Sequence, residues 1–268
     1  MEDFDVASPE TPADPQFVRT TLEDDVARIV LDRGAASNAL NVTLLTELVD
    51  ALERISREEA VKIVVVTGTG NAFSSGFDVA EHTDDNVYLL LEAFHDAILR
   101  IASLEAVTVS VVKGMALGAG CELAVACDFC FVAEGAKLGQ PEIKAGLFPS
   151  VAPVLYPRLL GLHRTFEMIL TGRIYEAREA ESNGLITRAI APDQIDAESE
   201  KWVQFLRGFS TPVVKLARRA VADTVGLPLE EGLRHVSSMY LDQLMSTEDA
   251  GEGVRALRER RSPTWKHR

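Results

Sequence analysis

The sequence predicts an α/β fold in which strands and helices alternate through the first half and helices dominate the rest. Two observations carry that expectation. Between residues 17 and 134, strand-sized apolar runs such as "IVVV" at 63 to 66 and "VTVSVV" at 107 to 112 alternate with segments of helical periodicity. After Pro149 the spacing of apolar residues is helical almost throughout, with one short strand-like interruption. Strand and helix in alternation imply β-α-β crossovers, which within one sheet are nearly always right-handed.

The elements follow in order. "FVRTTL" at 17 to 22 and "VARIVLDR" at 25 to 32 alternate enough to pair as a hairpin. Val42, Leu45, Leu48, Val49, Leu52 and Ile55 recur every three or four residues and predict a helix over 42 to 55. "KIVVVTG" then reads as a buried strand, residues 86 to 103 as an amphipathic helix, and "VTVSVVKG" as the next strand. A helix from about Ala119 to Cys127 and a strand "FCFVAE" complete the alternating part. Residues 161 to 183 and 194 to 260 look helical, interrupted by the strand "ITRAIA" and by Pro212 and Pro228 near helix starts. The last 60 or so residues are too few for a core of their own and keep apolar faces, so they are expected to pack on other subunits. There is no internal repeat.

Composition narrows the function. With 268 residues, 47% of them hydrophobic and 25% charged, the chain has the balance of an ordinary globular protein. No apolar run approaches the roughly 20 residues of a membrane span. The start, "MEDFDVASPETPADP", is acidic and proline-rich where a signal peptide is basic and then apolar, so the expectation is a cytoplasmic protein with a loose tail. A net charge of −14 argues against a nucleic-acid partner, which needs a basic face. Residues 255 to 268, "RALRERRSPTWKHR", reverse the balance with six Lys or Arg against one Glu. They are either a local anion contact or a solvated helix end.

Cys121, Cys127 and Cys130 lie within ten residues, but a zinc site needs about four ligands, and no second CxxC or nearby histidine pair supplies them. No metal is expected, and buried thiols are the better account. "TGTGNAF" has Phe73 where a dinucleotide loop needs its third glycine, and no helix opens there. "FSSGF" lacks the strand-serine-helix elbow of a serine hydrolase.

The informative residues are two glutamates. "GMALGAGCELAVACDF" at 114 to 129 and "KLGQPEIKAGLFP" at 137 to 149 place Glu122 and Glu142 in small, apolar surroundings. A charged, idle carboxylate there carries a desolvation penalty. Glu122 could instead cap a helix or pair with an arginine, and Glu142 could sit on a surface turn. Two features favour chemistry. "LGAG" opens a helix, where backbone N–H groups are available to an anion, and "SSGFD" offers a second loop of close approach. Two converging N–H donors with carboxyls nearby can stabilise an enolate and move protons.

These residues resemble the crotonase (enoyl-CoA hydratase/isomerase) superfamily. "NAFSSGFDV" is similar to its first signature, AF-x-x-G-x-D, and "GMALGAGCELAVACDF" to its second, with "NALN" at 38 to 41, "LGQPEIKAGLFP" and "WKHR" in support. The resemblance runs from about Phe17 to the C-terminus. It implies a spiral of β-β-α turns over 16 to 205 behind the acidic tail of 1 to 15. It also implies a helical oligomerisation region at 206 to 268 that builds a trimer or a dimer of trimers. The implied substrates are acyl-coenzyme A thioesters, with no separate cofactor.

Position by position, the resemblance puts the oxyanion-hole N–H groups on Phe77 and Ala119, beside Gly76, Asp78 and Gly118. It puts the adenine-binding loop around Ala36, Asn38, Ala39 and Leu40, and the lysine that reaches the coenzyme A phosphates of a neighbouring subunit on Lys266. Members that add water syn across a 2-enoyl thioester carry two glutamates, and Glu122 and Glu142 fall on both positions. The resemblance therefore implies that Glu122 accepts a proton from the attacking water while Glu142 orients that water and supplies the proton to Cα.

Two departures bear on the acyl group. The family's P-G-x-G-G-T-Q-R-L is here "FPSVAPVLYPRL", and Ala80 replaces a lysine often found after the "GFD" loop. Residues 150 to 154 are expected to make a stiff, apolar acyl-pocket wall, which suits an alicyclic or branched enoyl group, as in the cyclic dienoyl-coenzyme A hydratases. Isomerase and thioester hydrolase activities, and a non-catalytic assembly module of this fold, are the competing readings.

Overall fold

The computed structural model describes residues 16–268, so the tail expected over 1 to 15 lies outside the described residues. The chain opens with β1 (Val18–Glu23) and β2 (Val26–Leu31), the expected hairpin, paired antiparallel about a turn in which Asp24 takes a positive φ. Helix α1 (Val42–Ser56) follows, its first turn capped by Asn41, whose side chain accepts from Leu44 N at 3.0 Å.

The next elements repeat one pattern. Strand β3 (Ile63–Gly68) continues into the short β4 (Ala72–Ser74) and then α2 (Val87–Ser103). Strand β5 (Val107–Val112) continues into β6 (Met115–Leu117) and then α3 (Ala119–Val125). Strand β7 (Phe129–Ala133) continues into β8 (Lys137–Gly139), a 3₁₀ turn (Pro141–Ala145) and α4 (Ala152–Leu160). These are the β-β-α turns that the family resemblance implied. Helix α5 (Leu162–Thr171), β9 (Ile174–Glu176), α6 (Ala177–Asn183) and β10 (Arg188–Ile190) come next, then α7 (Ile195–Arg207), α8 (Thr211–Thr224), α9 (Leu229–Ser238) and α10 (Glu248–Glu259).

The first strands of the turns form a six-stranded sheet of order β1-β2-β3-β5-β7-β10, parallel beyond the hairpin, and the second strands form a four-stranded sheet of order β4-β6-β8-β9. The large sheet is covered on both faces, which explains its continuous apolar runs. Along β3, Val64 and Val66 pack with the core built on α1, α2 and α3, whereas Ile63 and Val65 pack with Val109, Phe131 and Val203 on the opposite face. Trp202 of α7 closes that second layer against Phe129 and Phe131.

The C-terminal helices are tied to this sheet by polar groups. Lys62, 1% exposed at the start of β3, donates to Arg207 O at 3.0 Å and Phe209 O at 2.9 Å and pairs with Asp25 at 3.2 Å. Arg218 of α8 donates to carbonyls in the last turn of α2, including Ile101 O at 3.1 Å, where the helix end leaves acceptors unsatisfied. Outward faces remain apolar, with Leu229, Leu233, Tyr240, Leu241 and Leu257 all more than half exposed.

Lys62→Met should be destabilising, because it leaves Asp25 short of a cation and two carbonyls short of a donor. A loss of about 2–3 kcal/mol in chemical denaturation is expected, and an unchanged midpoint would show that the ammonium adds nothing to the docking of α7.

Candidate active site

The loops that follow β2, β4 and β6 meet at one end of the sheets. Asn38, at φ 51°, is completely buried, and its amide holds the turn together. It accepts from Arg33 N at 2.8 Å and donates to Thr69 O at 2.9 Å and Ala72 O at 2.8 Å. Asp78 pairs with Arg33 at 2.5 Å, and that guanidinium also reaches Ala39 O at 3.0 Å. The hydrogen bond from Arg33 is the main reason the Asp78 carboxyl lies below its usual range. Both side chains are thus engaged in the framework; what the 36 to 40 loop leaves outward is Ala36, which is exposed, and the half-buried Ser37 and Ala39.

One bridge fixes the first expected oxyanion donor. Leu40 N donates to Gly76 O at 2.8 Å and Asp78 N donates to Leu40 O at 2.9 Å, so Leu40 bonds both residues flanking Phe77 in a parallel bridge. In that register the N–H of Phe77 points to the opposite side. The second expected donor, Ala119 N, belongs to the first residue of α3, where no intrahelical acceptor exists. Neither N–H has an acceptor among the described residues. The two loops touch, since a Cβ on Gly76 would lie 2.8 Å from Leu117 O and 3.6 Å from Ala119 N.

Glu122 and Glu142 come to the same place. All seven residues of α3 are buried, Glu122 among them. Its Oε1 accepts from Val151 N at 2.7 Å and Ala152 N at 2.5 Å, the donors at the start of α4, while Oε2 accepts nothing from the described residues. Burial pushes the Glu122 carboxyl up to about 7 against the opposing pull of those two N–H groups, and the nearby Glu142 raises it further. Burial also raises Glu142. The oxygen Oε1 of Glu142 lies where a Cβ on Gly118 would come within 2.5 Å, so the carboxyl rests on the backbone immediately before Ala119. The cavity beside it, about 780 Å³, is lined by Phe77, Val79, Val87, Leu91, Leu147 and Phe148, with His82 at its side.

The wall needs a correction. Leu147, Phe148, Pro149 and Ser150 line the cavity, but Val151, Ala152, Pro153 and Val154 do not. They open α4 instead, with Pro153 in a first turn where its missing N–H costs nothing, and Val151 and Ala152 hold Glu122. Lys266 is exposed and is not among the residues lining the cavity. Its backbone is clasped by Asp249, which accepts from Lys266 N at 2.6 Å and His267 N at 2.9 Å.

Sequence reasoning missed Gln140 and Tyr156, both fully buried. With its amide turned to satisfy both neighbours, Gln140 donates to Glu142 Oε1 at 3.1 Å and accepts from the Tyr156 hydroxyl at 2.5 Å. Tyr156 also lies 3.2 Å from Cys121 Sγ. No local pattern signals a pairing across sixteen residues. The three cysteines are buried, and burial pushes the thiols of Cys121 and Cys130 up to about 12.

A spiral of β-β-α turns whose loops present two backbone donors beside two desolvated carboxyls is the architecture of the crotonase superfamily, and the chain belongs to it. The family model described as enoyl-CoA hydratase/isomerase matches residues 21–268. A probable enoyl-CoA hydratase of Rhizobium meliloti is 38% identical over 245 residues, covering 91% of this chain and 95% of the relative. The 2,3-dehydroadipyl-CoA hydratase of Escherichia coli is 29% identical over 245 residues, covering 91% and 96%. The crystal structure of an enoyl-CoA hydratase from Bacillus anthracis superposes with a TM-score of 0.89 at 28% identity, covering 94% of this chain and all of that one. Among the described residues, no helix is long and apolar enough to cross a membrane.

Gly118→Ala should abolish most activity in a folded protein. Gly118 has φ 53° and ψ −131°, and the added methyl would displace Glu142 from the backbone that leads into Ala119. Misplacement on this scale costs about 100-fold, so near-normal turnover in this variant would show that Glu142 need not rest on Gly118.

Proposed function

We propose that the protein adds water syn across the double bond of a 2-enoyl-coenzyme A thioester. The observation that supports this reading best is the placement of two desolvated carboxyls, Glu122 and Glu142, against the loops that present the N–H groups of Phe77 and Ala119. The thioester oxygen gains negative charge as water attacks, and donors fixed in place favour that charged state over the ground state. Each such donor is typically worth about 3 kcal/mol.

The carboxyls divide the proton work. Glu122 is held through Oε1 by two backbone N–H groups that cannot turn round; they favour the ionised form without offsetting burial, and Oε2 is left to take a proton from water. Glu142 orients the same water and delivers a proton to Cα. The proton affinity of Glu122 follows the state of its neighbour, since a charge on Glu142 raises it further, while Glu142 is raised by its own burial. The coenzyme A portion would lie along Ala36 to Leu40, with Lys266 reaching the phosphates of a thioester bound in a neighbouring subunit. The exposed apolar faces of the C-terminal helices support the assembly this requires, a trimer or a dimer of trimers.

A second reading concerns the acyl group. The wide cavity has three aliphatic residues, Val79, Val87 and Leu91, facing a loop that carries Leu147 and Phe148, and it suits an alicyclic or branched enoyl group better than a slim linear chain.

Glu122→Gln and Glu142→Gln should each lower kcat by at least about 100-fold with thioester binding nearly intact. Full hydratase activity in either variant would remove the two-glutamate mechanism. In the unaltered protein kcat/KM should rise with pH through about 7, because Glu122, raised by burial, works only after losing its proton. A profile flat from pH 6 to pH 8 would argue against Glu122 as the base.

A panel of linear, branched and cyclic enoyl thioesters should show higher kcat/KM for the bulky acyl groups than for crotonyl-coenzyme A. Each methylene is worth only about 1–3 kcal/mol, so the expectation is preference and not exclusion. A clear advantage for the linear substrate overturns the bulky-substrate reading and leaves the roles of the glutamates in place.

A further inference from the structure

We propose that Tyr156 and Cys121 act through Gln140 as a reversible hydrogen-bond relay that follows the protonation state of Glu142. The four groups form an unbroken line, from Cys121 Sγ to the Tyr156 hydroxyl at 3.2 Å, to the Gln140 amide at 2.5 Å, to the Glu142 carboxyl at 3.1 Å. Cys121, Tyr156 and Gln140 are each completely buried, so no solvent group competes for these bonds. Helices α3 and α4 and the residue before the 3₁₀ turn hold them.

The line can be satisfied in two senses. With Glu142 ionised, the thiol donates to the Tyr156 oxygen, the hydroxyl donates to Gln140 Oε1, and Gln140 Nε2 donates to the carboxylate. With Glu142 protonated, its O–H donates to Gln140 Oε1, Gln140 Nε2 donates to the Tyr156 oxygen, and the hydroxyl donates to Cys121 Sγ. The amide turns over and the hydroxyl rotates; each group keeps its own protons, and only Glu142 gains or loses one. A thiol suits the far end because it both donates and accepts, though weakly. Burial keeps it a neutral thiol. The contrast with Glu122 is direct, since that carboxyl faces two backbone donors with only one sense.

Other charged groups around Glu142 leave this line intact. Glu122 faces it from α3, His82 stands across the cavity, and Lys144 shares its turn. Helix α5, packed against that turn, carries His163, Arg164 and Glu167, all exposed, and no described hydrogen bond joins any of them to Glu142.

The test reads Glu142 in the resting protein, without turnover. It follows the pH dependence of the Glu142 carboxylic acid C=O band in infrared difference spectra, with the band assigned by its loss in Glu142→Gln. The relay rests on the two-glutamate reading for its purpose, but this measurement stands even if no enoyl thioester is hydrated. Cys121→Ala removes the acceptor that the Tyr156 hydroxyl needs when Glu142 is protonated. The hydroxyl must then donate to Gln140, whose N–H favours the carboxylate. The titration of Glu142 should fall by about 1 pH unit. Cys121→Ser restores a donor and acceptor and should return the titration toward that of the unaltered protein, although serine is the poorer substitute for packing. In a Tyr156→Phe background, Cys121→Ala should no longer move it. An unchanged or raised titration in Cys121→Ala overturns the relay, as do equal shifts in the alanine and serine variants or a full shift that persists without the Tyr156 hydroxyl.

Discussion

A carboxyl group sits on a helix with no exposed residue, and much of the structure around it makes that burial tolerable. Glu122 cannot be solvated, so its charge depends on the backbone donors of Val151 and Ala152. Those donors are in place because the chain, having passed Glu142, starts α4 at Ala152 within reach of the Glu122 carboxyl. Small residues on α3 let it lie against β4: a Cβ on Gly120 would come within 2.5 Å of Ser74 O, so anything larger would push the helix from that short strand. The small second sheet has the same purpose. Its three-residue strands contribute little core, but they set β4, β6 and β8 in register, and with them the loops that carry Gly76, Gly118 and Gln140.

The residues of the two loop motifs divide between holding the framework and facing outward. Asn38 and Asp78 stand in the expected loops, yet their side chains are occupied by Arg33 and by backbone groups, so they shape the loops from behind. What remains to meet a ligand there is main chain and small side chains. This arrangement suits a large substrate that binds with many weak contacts, because polar side chains of the protein need not be ordered anew when it arrives.

Much of this was legible in the sequence, and the boundary has physical reasons. The hairpin, α1 and α2 were readable from the period of their apolar residues, and β3 and β5 from unbroken apolar runs of strand length, which sheet faces covered on both sides allow. The strands β4, β6, β8 and β9 were not, because three residues cannot display an alternation. Helix α4 was hidden by Pro153 and Pro157, which mark a break in most contexts; here Pro153 falls in the first turn, and the chain continues as helix through Pro157. Glu122 and Glu142 stood out because charge among small apolar residues has a cost that needs a reason. The same argument could not find Val151 and Ala152, since a backbone N–H is common to every residue type except proline, nor Tyr156, which reads as an ordinary core aromatic until its hydroxyl is placed.

The segment from Leu147 to Ala152 has a consequence for how such a protein can change. Its first four residues line the cavity beside Glu142, and its last two hold the Glu122 carboxyl. The shape of the cavity and the proton affinity of Glu122 are therefore carried on one short length of backbone. A lineage that remodelled this cavity by inserting, deleting or reshaping the loop would shift the proton affinity of Glu122 at the same stroke, and would advance more readily by exchanging side chains at Val87 or Leu91 of α2, neither of which holds that carboxyl.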